Sequence, residues 1–451
     1  MADTVSKHID MTTGSLWRNI PLFAFPVAAT SILEQLSNLI ATVIIGNFSG
    51  DQGTLAMAAV GSNVPLTSLM LNLFIGMSLG SNVVIANAIG RNDQNMVKRA
   101  VHTSILMALV GFVVIALGEI FAEPMLAALN VPAETMPLAS LYLRVFLLSM
   151  PSILLYNFEA AIFRSVGITR MPLQALAVST VLNIGLDLIF VPVLHWGVAG
   201  VAIATAIAYT VSAATLFIRL LKTDSVVRVT PRDLAIDPVA LKRIVKIGLP
   251  AGIQSAVFAV ANIIIQSAIN SPGTVVMAAS SAAFNIEIIT YDILNAFSQA
   301  CTTFVGQNYG AGRLDRVKRS VWVTLAIGVI YTLCTGAALL AGQDAILHLF
   351  TADEAVVTYG KLAMRWFCPF YFLLSILHGL AGAVRGTGAS IPPMVVLLVS
   401  LCLFRVVWIQ FLLPFFSGIE GVFILYPVSW GLGALLMILY AWKGKWMEYH
   451  T

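Results

Sequence analysis

Twelve apolar stretches, each close to the roughly 20 residues a helix needs to cross a bilayer, follow one another along this chain with short polar breaks. They run 20–45, 54–85, 101–121, 138–163, 171–191 and 198–220, then 245–269, 274–305, 320–341, 359–384, 391–413 and 421–441. Backbone N–H and C=O groups have no water to bond to in hydrocarbon, so a spanning segment is a helix or part of a closed barrel. Barrel strands are short and alternate apolar with polar residues. These stretches are long and uniformly apolar, so the expected fold is an all-α integral membrane protein with twelve transmembrane helices. Composition agrees, with 59% hydrophobic and only 10% charged residues and a mean hydropathy of +0.91.

The chain also repeats itself. Gly53-Thr54-x-x-Met57-Ala58-Ala59 recurs 220 positions on as Gly273-Thr274-x-x-Met277-Ala278-Ala279. At the same offset, Gly90 and Val97-Lys98-Arg99-x-Val101 meet Gly310 and Val317-Lys318-Arg319-x-Val321. At an offset of 221, Ala160, Arg164, Gly167, Pro172, Ser179 and Leu182 meet Ala381, Arg385, Gly388, Pro393, Ser400 and Leu403. Shared composition would match at scattered offsets, whereas a nearly constant one marks a duplication. Two halves of six spans each predict a transporter whose site lies between repeats.

Of the 25 Lys and Arg residues, 21 fall before the first span, after an even-numbered span, or after the last. The positive-inside rule then places both termini in the cytoplasm. Six is even, so both halves enter from the same face and the repeats are parallel. The expected divisions are a cytoplasmic N-terminus at 1–19, a six-helix bundle at 20–221, a cytoplasmic linker at 222–243, a second bundle at 244–441 and a cytoplasmic C-terminus at 442–451. Topology accounts for the net charge of +4, so no nucleic-acid partner is expected. The polar first 18 residues lead into a full-length span and are not expected to be a cleavable signal peptide.

No His-Glu-x-x-His, P-loop, Gly-x-Ser-x-Gly or Cys-x-x-Cys pattern is present, and the loops are too short to house a nucleotide site. Cys301, Cys334, Cys368 and Cys402 lack metal-ligand spacing and read as packing thiols. An enzyme is therefore not expected, and no cofactor.

Several segments resemble the multidrug and toxic compound extrusion (MATE) family, closest to its DinF-like branch. They are Pro26 followed by Asn38-Leu39-Ile40-Ala41-Thr42-x-x-x-Gly46, Gly90 with its basic turn, Gly306-Gln307-Asn308-x-Gly310-Ala311-Gly312, and the paired Arg164-x-x-Gly167 and Arg385-x-x-Gly388. The resemblance covers nearly the whole chain. It implies a V-shaped pair of six-helix bundles that export organic compounds in exchange for H⁺ or Na⁺. It also implies a cation site at Asn183, Asp187 and Thr205, able to take Na⁺, and bending of the first helix at Pro26. The family usually carries an Asp where this chain has Ala41.

The residues themselves point to the same pair. An ionisable group in mid-bilayer costs roughly 2.5 to 3.5 kcal/mol on permissive scales, so Asp187 needs a partner or a purpose. Asn183, one turn earlier, sets an amide oxygen beside the carboxylate, a donor set for a proton or a hard cation. Glu34 is the second acid of this half. It shares a helix face with position 41 but stands roughly 10 Å away along the axis, so it forms either a relocated coupling site or a structural pair. In the second half Glu287, Asp292, His378 and Arg405 form a candidate substrate or cation site. Alternatively, one of the two acids pairs structurally with Arg405. Glu159 is expected to pair with Arg164 at the surface.

The reading is a monomeric bacterial inner-membrane antiporter, driven by H⁺ or Na⁺, that exports amphiphilic organic compounds such as drugs, toxins or a secondary metabolite. Alternatives are a lipid-linked precursor flippase of the same superfamily and a channel.

Overall fold

The computed structural model describes residues 8–270, 274–348, 353–416 and 419–448. The first half contains α1 (Leu16–Phe48), α2 (Gly53–Gly90), α3 (Gln94–Met107), α4 (Val110–Ala128), α5 (Met136–Leu147), α6 (Met150–Ser165), α7 (Arg170–Phe190) and α8 (Gly197–Lys222). The second contains α9 (Pro238–Asn270), α10 (Thr274–Gly310), α11 (Leu314–His348), α12 (Glu354–Phe367), α13 (Tyr371–Gly386), α14 (Ile391–Leu397), α15 (Phe404–Val407) and α16 (Glu420–Lys443). No strand occurs among the described residues.

The helices group into twelve spans. Among the described residues nine runs are long and apolar enough to cross a membrane, and a bent pair makes ten. The other two, α9 and α10, are 33 and 37 residues long. Two of the breaks coincide with proline. The fourth span bends by 46° between α5 and α6, where Pro151 is the second residue of the new helix. The tenth breaks at Cys368–Phe370 around Pro369. The eleventh is loosened by π-helical turns at Leu398–Leu403 and Trp408–Leu412, on either side of α15.

The chain divides into two compact units, one of Met1–Ile9 and Ala29–Leu249, the other of Asp10–Ala28 and Pro250–Thr451. In the first, one core gathers around Tyr156, Phe158, Phe163 and Leu216, a second around Ile45, Leu143, Leu147 and Val198. The second unit centres on Phe367, Tyr371, Phe423 and Trp430. Helices α2 and α9 approach closely within the first unit because both carry glycine at the contact. A Cβ on Gly80 would sit 2.7 Å from the Gly248 nitrogen, and one on Gly248 would sit 2.7 Å from the Met77 Cα.

The linker is strapped to the first unit. Lys98 pairs with Asp233 at 2.8 Å and Arg99 with Asp237 at 2.7 Å. The Thr230 amide donates to His102 Nε2 and the Asp237 amide to the Thr103 hydroxyl. The hydrogen bond and charge of Lys98 hold the Asp233 carboxyl below its usual range. Asp237 is lowered chiefly by the Ala240 amide it caps, with Arg99 adding to the effect. In the second unit, residues 11–14 play a comparable part. Arg313 donates to the Thr12 carbonyl, Arg316 to the carbonyls of Met11, Thr13 and Gly14, and Asn308 to that of Met11.

Candidate functional site

Asn183 and Asp187 lie one turn apart on α7, and both are buried, Asp187 completely. The Ser37 hydroxyl of α1 donates to Asn183 Oδ1 at 3.1 Å. Neither carboxylate oxygen of Asp187 has a hydrogen-bond partner within the protein, and neither does Asn183 Nδ2. A buried carboxylate left in this state costs several kcal/mol unless a proton or cation joins it. The Asp187 charge is felt at Tyr142 of α5. Thr205, on α8, is half-buried, and its hydroxyl donates to the Val201 carbonyl one turn back at 3.0 Å. Its oxygen keeps lone pairs that could face a cation. Among the described residues no group of three His, Cys, Asp or Glu side chains is arranged to hold a metal ion. The available donor set is therefore one carboxylate with amide and hydroxyl oxygens, which suits a proton or a hard monovalent cation and not a transition metal.

Glu34 sits on α1 one turn before Ser37. Its charge lies within range of Arg164 and Tyr156 of α6 and Tyr209 of α8. The spans carrying Ser37 and Asn183 run in the same direction, so the contact between them fixes the register. One turn onward on each helix come Ala41 and Asp187, while Glu34 lies one turn the other way. The structure thus gives Asp187 and Glu34 different neighbours, with Arg164 on the Glu34 side.

Glu159 departs from expectation. It is fully buried on α6, and neither carboxylate oxygen has a hydrogen-bond partner in the protein. Arg164 follows five residues later, about 140° further round the helix, so the two cannot share an exposed face.

In the second unit, Glu287, Tyr291 and Asp292 lie on α10, His378 and Arg385 on α13, and Arg405 on α15. Tyr291 lies within range of Glu287, Asp292, Arg385 and Arg405, and its ring meets the His378 ring edge-on at 5.3 Å. Arg405 makes no direct ion pair with Glu287 among the described residues. Its Nε donates to the Ser429 hydroxyl at 2.9 Å, and its guanidinium carbon lies 4.5 Å from the centre of the Tyr426 ring. The Glu287 charge is felt at Arg405 without a direct contact. Arg385 donates to Gln254 Oε1 at 3.2 Å. The repeat offset of 221 sets Trp408 opposite Asp187 and Phe404 opposite Asn183. Trp408 Nε1 donates to the Gly421 carbonyl, so the second half has packed an indole where the first holds its acid.

Sequence reasoning missed Ser37 and Tyr142. Ser37 adjoins the Asn38 motif and could have been flagged by its place on the Glu34 face. Tyr142 carries no motif, and only packing of α5 brings it near Asp187.

Two six-span repeats of long apolar helices define a multi-pass membrane protein. The MatE family profile matches residues 26–189 and 250–409, and the chain belongs to that family. It is 26% identical to the probable multidrug resistance protein YoeA of Bacillus subtilis (strain 168), over 96% of this chain and 95% of that one. It is 23% identical to an FAD transporter of Shewanella oneidensis, over 90% and 93%. Among solved structures, an outward-facing multidrug resistance MATE transporter superposes with a TM-score of 0.87 at 22% identity, covering 97% and 98%.

Proposed function

We propose that the protein is an H⁺- or Na⁺-coupled antiporter that exports amphiphilic organic compounds, with Asp187 as the coupling acid. The observation that carries this reading is the Asp187 carboxylate, fully buried and without a hydrogen bond from the protein, one turn from the Asn183 amide that Ser37 of α1 engages. Such a group is stable only when loaded, and loading is what an antiporter exchanges for substrate. Asn183 Oδ1 lies one turn away on the same helix face, and Thr205 completes the proposed site when Na⁺ is the ion. The multidrug resistance proteins among the relatives support an organic cargo. The driving force suffices, since one positive charge entering across 100 mV releases about 2.3 kcal/mol, a concentration ratio of roughly fifty.

Glu34 is proposed as a second titratable group, acting through Arg164, and Pro26 as the point at which α1 bends. Glu287, Asp292, His378 and Arg405 are proposed to face the cargo in the second unit. The protein is placed in the bacterial inner membrane as a monomer with both termini in the cytoplasm. A flippase would need buried guanidiniums free to meet a phosphate. Arg405 is instead held by Ser429 and Tyr426, and Arg385 donates one nitrogen to Gln254.

The test is counterflow of a lipophilic cationic dye in proteoliposomes, with proton and sodium gradients imposed separately. Efflux should follow one gradient and vanish in Asp187→Asn, while the variant still binds the dye. Normal efflux by that variant under both gradients would place coupling elsewhere.

A further inference from the structure

The basic turn after the second span and its copy after the eighth are the same structure in two different surroundings. Asn92 and Gly312, 220 positions apart, both take a left-handed conformation, at φ 58° and 69°, and the next helix starts directly after each. In the first unit the turn's charges are balanced from within the protein. Lys98 holds Asp233, Arg99 holds Asp237, and His102 is covered by the linker through the Thr230 amide. In the second unit the corresponding residues are Lys318, Arg319 and Trp322. Lys318 and Arg319 make no ion pair among the described residues and are exposed. Trp322 is 73% exposed.

The second copy is also richer in positive charge. Arg313 stands where the first copy has the helix-capping Asp93, and Arg316 where it has Met96. Gly312, Arg313, Leu314, Asp315, Arg316 and Arg319 line a cavity of about 450 Å³. Two acids are near. Asp315 is in the wall, and the Asp10 charge is felt at Arg316. Asp10 is itself engaged by hydroxyl and amide groups of Thr12 and Thr13, which, against its partial burial, bring its carboxyl down to about 2. Four basic side chains against these two acids leave the turn net positive. The carbonyls of residues 11–14 satisfy Arg313 and Arg316 in part but bring no formal charge.

We propose that this turn binds the phosphate headgroup of an anionic phospholipid, which does for the second unit what Asp233 and Asp237 do for the first. The first copy shows which partner the Lys-Arg pair takes when one is available, namely two oxyanions. The location favours a lipid over a soluble anion. Residues 318–319 open a helix that crosses the membrane, and Trp322, one turn on from Lys318, is an exposed indole of the kind that sits at headgroup depth. A phosphate in the arginine-lined cavity would leave its glycerol and acyl chains to run down the Trp322 face. Attraction of about 1 kcal/mol per basic residue near an anionic surface predicts a preference of about fivefold for each of Lys318 and Arg319.

Brominated lipids quench tryptophan on contact, and the Trp322 share of quenching is the difference between the parent protein and Trp322→Phe. In phosphatidylcholine vesicles, brominated phosphatidylglycerol should quench that share at a mole fraction roughly 25-fold lower than brominated phosphatidylcholine does. The preference should fall with added salt. It should disappear in the double variant Lys318→Gln with Arg319→Gln, and persist in Lys443→Gln with Lys445→Gln, which removes two other basic residues. Equal quenching by the two lipids, or a preference that survives the first variant, would overturn the proposal. So would its loss in the Lys443 and Lys445 variant, which would indicate general surface attraction. If inorganic phosphate abolishes the preference at an ionic strength where chloride does not, the turn is a free-phosphate site and the lipid assignment fails. The readout needs no transport, so it stands or falls separately from the antiport reading.

Discussion

At the scale of single residues, the contact between Ser37 and Asn183 organises the argument about coupling. It sets the register of α1 against α7 and so places position 41 level with Asp187 and Glu34 a turn to the other side. A proton shared between two carboxylates requires them to be close. Glu34 instead has Arg164, Tyr156 and Tyr209 in range. Glu34→Gln is therefore expected to lower coupled efflux by about tenfold or less and to shift its pH profile, whereas Asp187→Asn abolishes it. Adding Ala41→Asp to Glu34→Gln should recover part of the activity, because the new acid faces the Asp187 level directly. Efflux measured against pH in vesicles checks all three. An unshifted profile in Glu34→Gln would leave Glu34 a structural residue. Ser37→Ala removes only the hydrogen bond that orients the Asn183 oxygen. Its expected effect is a severalfold weaker cation dependence with substrate binding unchanged, read by titrating the driving ion.

At the scale of elements, two devices hold the first unit together, and both can be tested. Gly80 and Gly248 let α2 and α9 touch backbone to backbone. Gly80→Ala forces the helices apart, an overpacking cost of about 1–3 kcal/mol, and should lower the thermal midpoint in detergent. Gly61→Ala, on the same helix, is the control, since its new methyl meets nothing. A similar midpoint for the two variants would contradict the contact. The second device is the linker strap. Asp233 and Asp237 are both lowered in the folded protein. Their contribution is fully present above the ordinary carboxylate value, near pH 4, and is lost only as pH falls through the lowered values. Protection of residues 224–236 from limited proteolysis should thus be flat from neutral pH down to about 4. Asp233→Asn with Asp237→Asn should raise cleavage a few-fold at neutral pH, and more weakly at high salt, where the pairs are already screened.

At the scale of the whole molecule, the sequence carried most of the architecture and only part of the site. Twelve spans were legible because length and apolarity are backbone requirements of the bilayer and need no knowledge of packing. Asp187 and Asn183 were legible for a related reason, since a charged group in such a span stands out by its cost. What the sequence left open depends on which helix faces which. Tyr142 within range of the Asp187 charge, Arg405 seated on Tyr426, and the linker's hold on Lys98 and Arg99 all depend on tertiary packing that no periodicity encodes. That Glu159 and Arg164 do not share a face was deducible, since five residues of helix separate them by about 140°, but the burial of Glu159 depends on packing. The parallel relation of the halves rests on the charge count alone, and labelling tests it at equivalent positions. In a background with the four native cysteines replaced, cysteines are introduced at Asn95 and Asp315, 220 residues apart, and at Glu134 and Ala355, 221 apart; all four are exposed. Parallel repeats require both members of a pair to share a side of the membrane, whereas inverted repeats would put them on opposite sides. With intact cells and an impermeant maleimide, Glu134→Cys and Ala355→Cys should label, while Asn95→Cys and Asp315→Cys should label only after permeabilisation. Labelling of one member of a pair without the other, before permeabilisation, would reject the parallel arrangement, and labelling of the two pairs in the reverse order would invert the protein in the membrane.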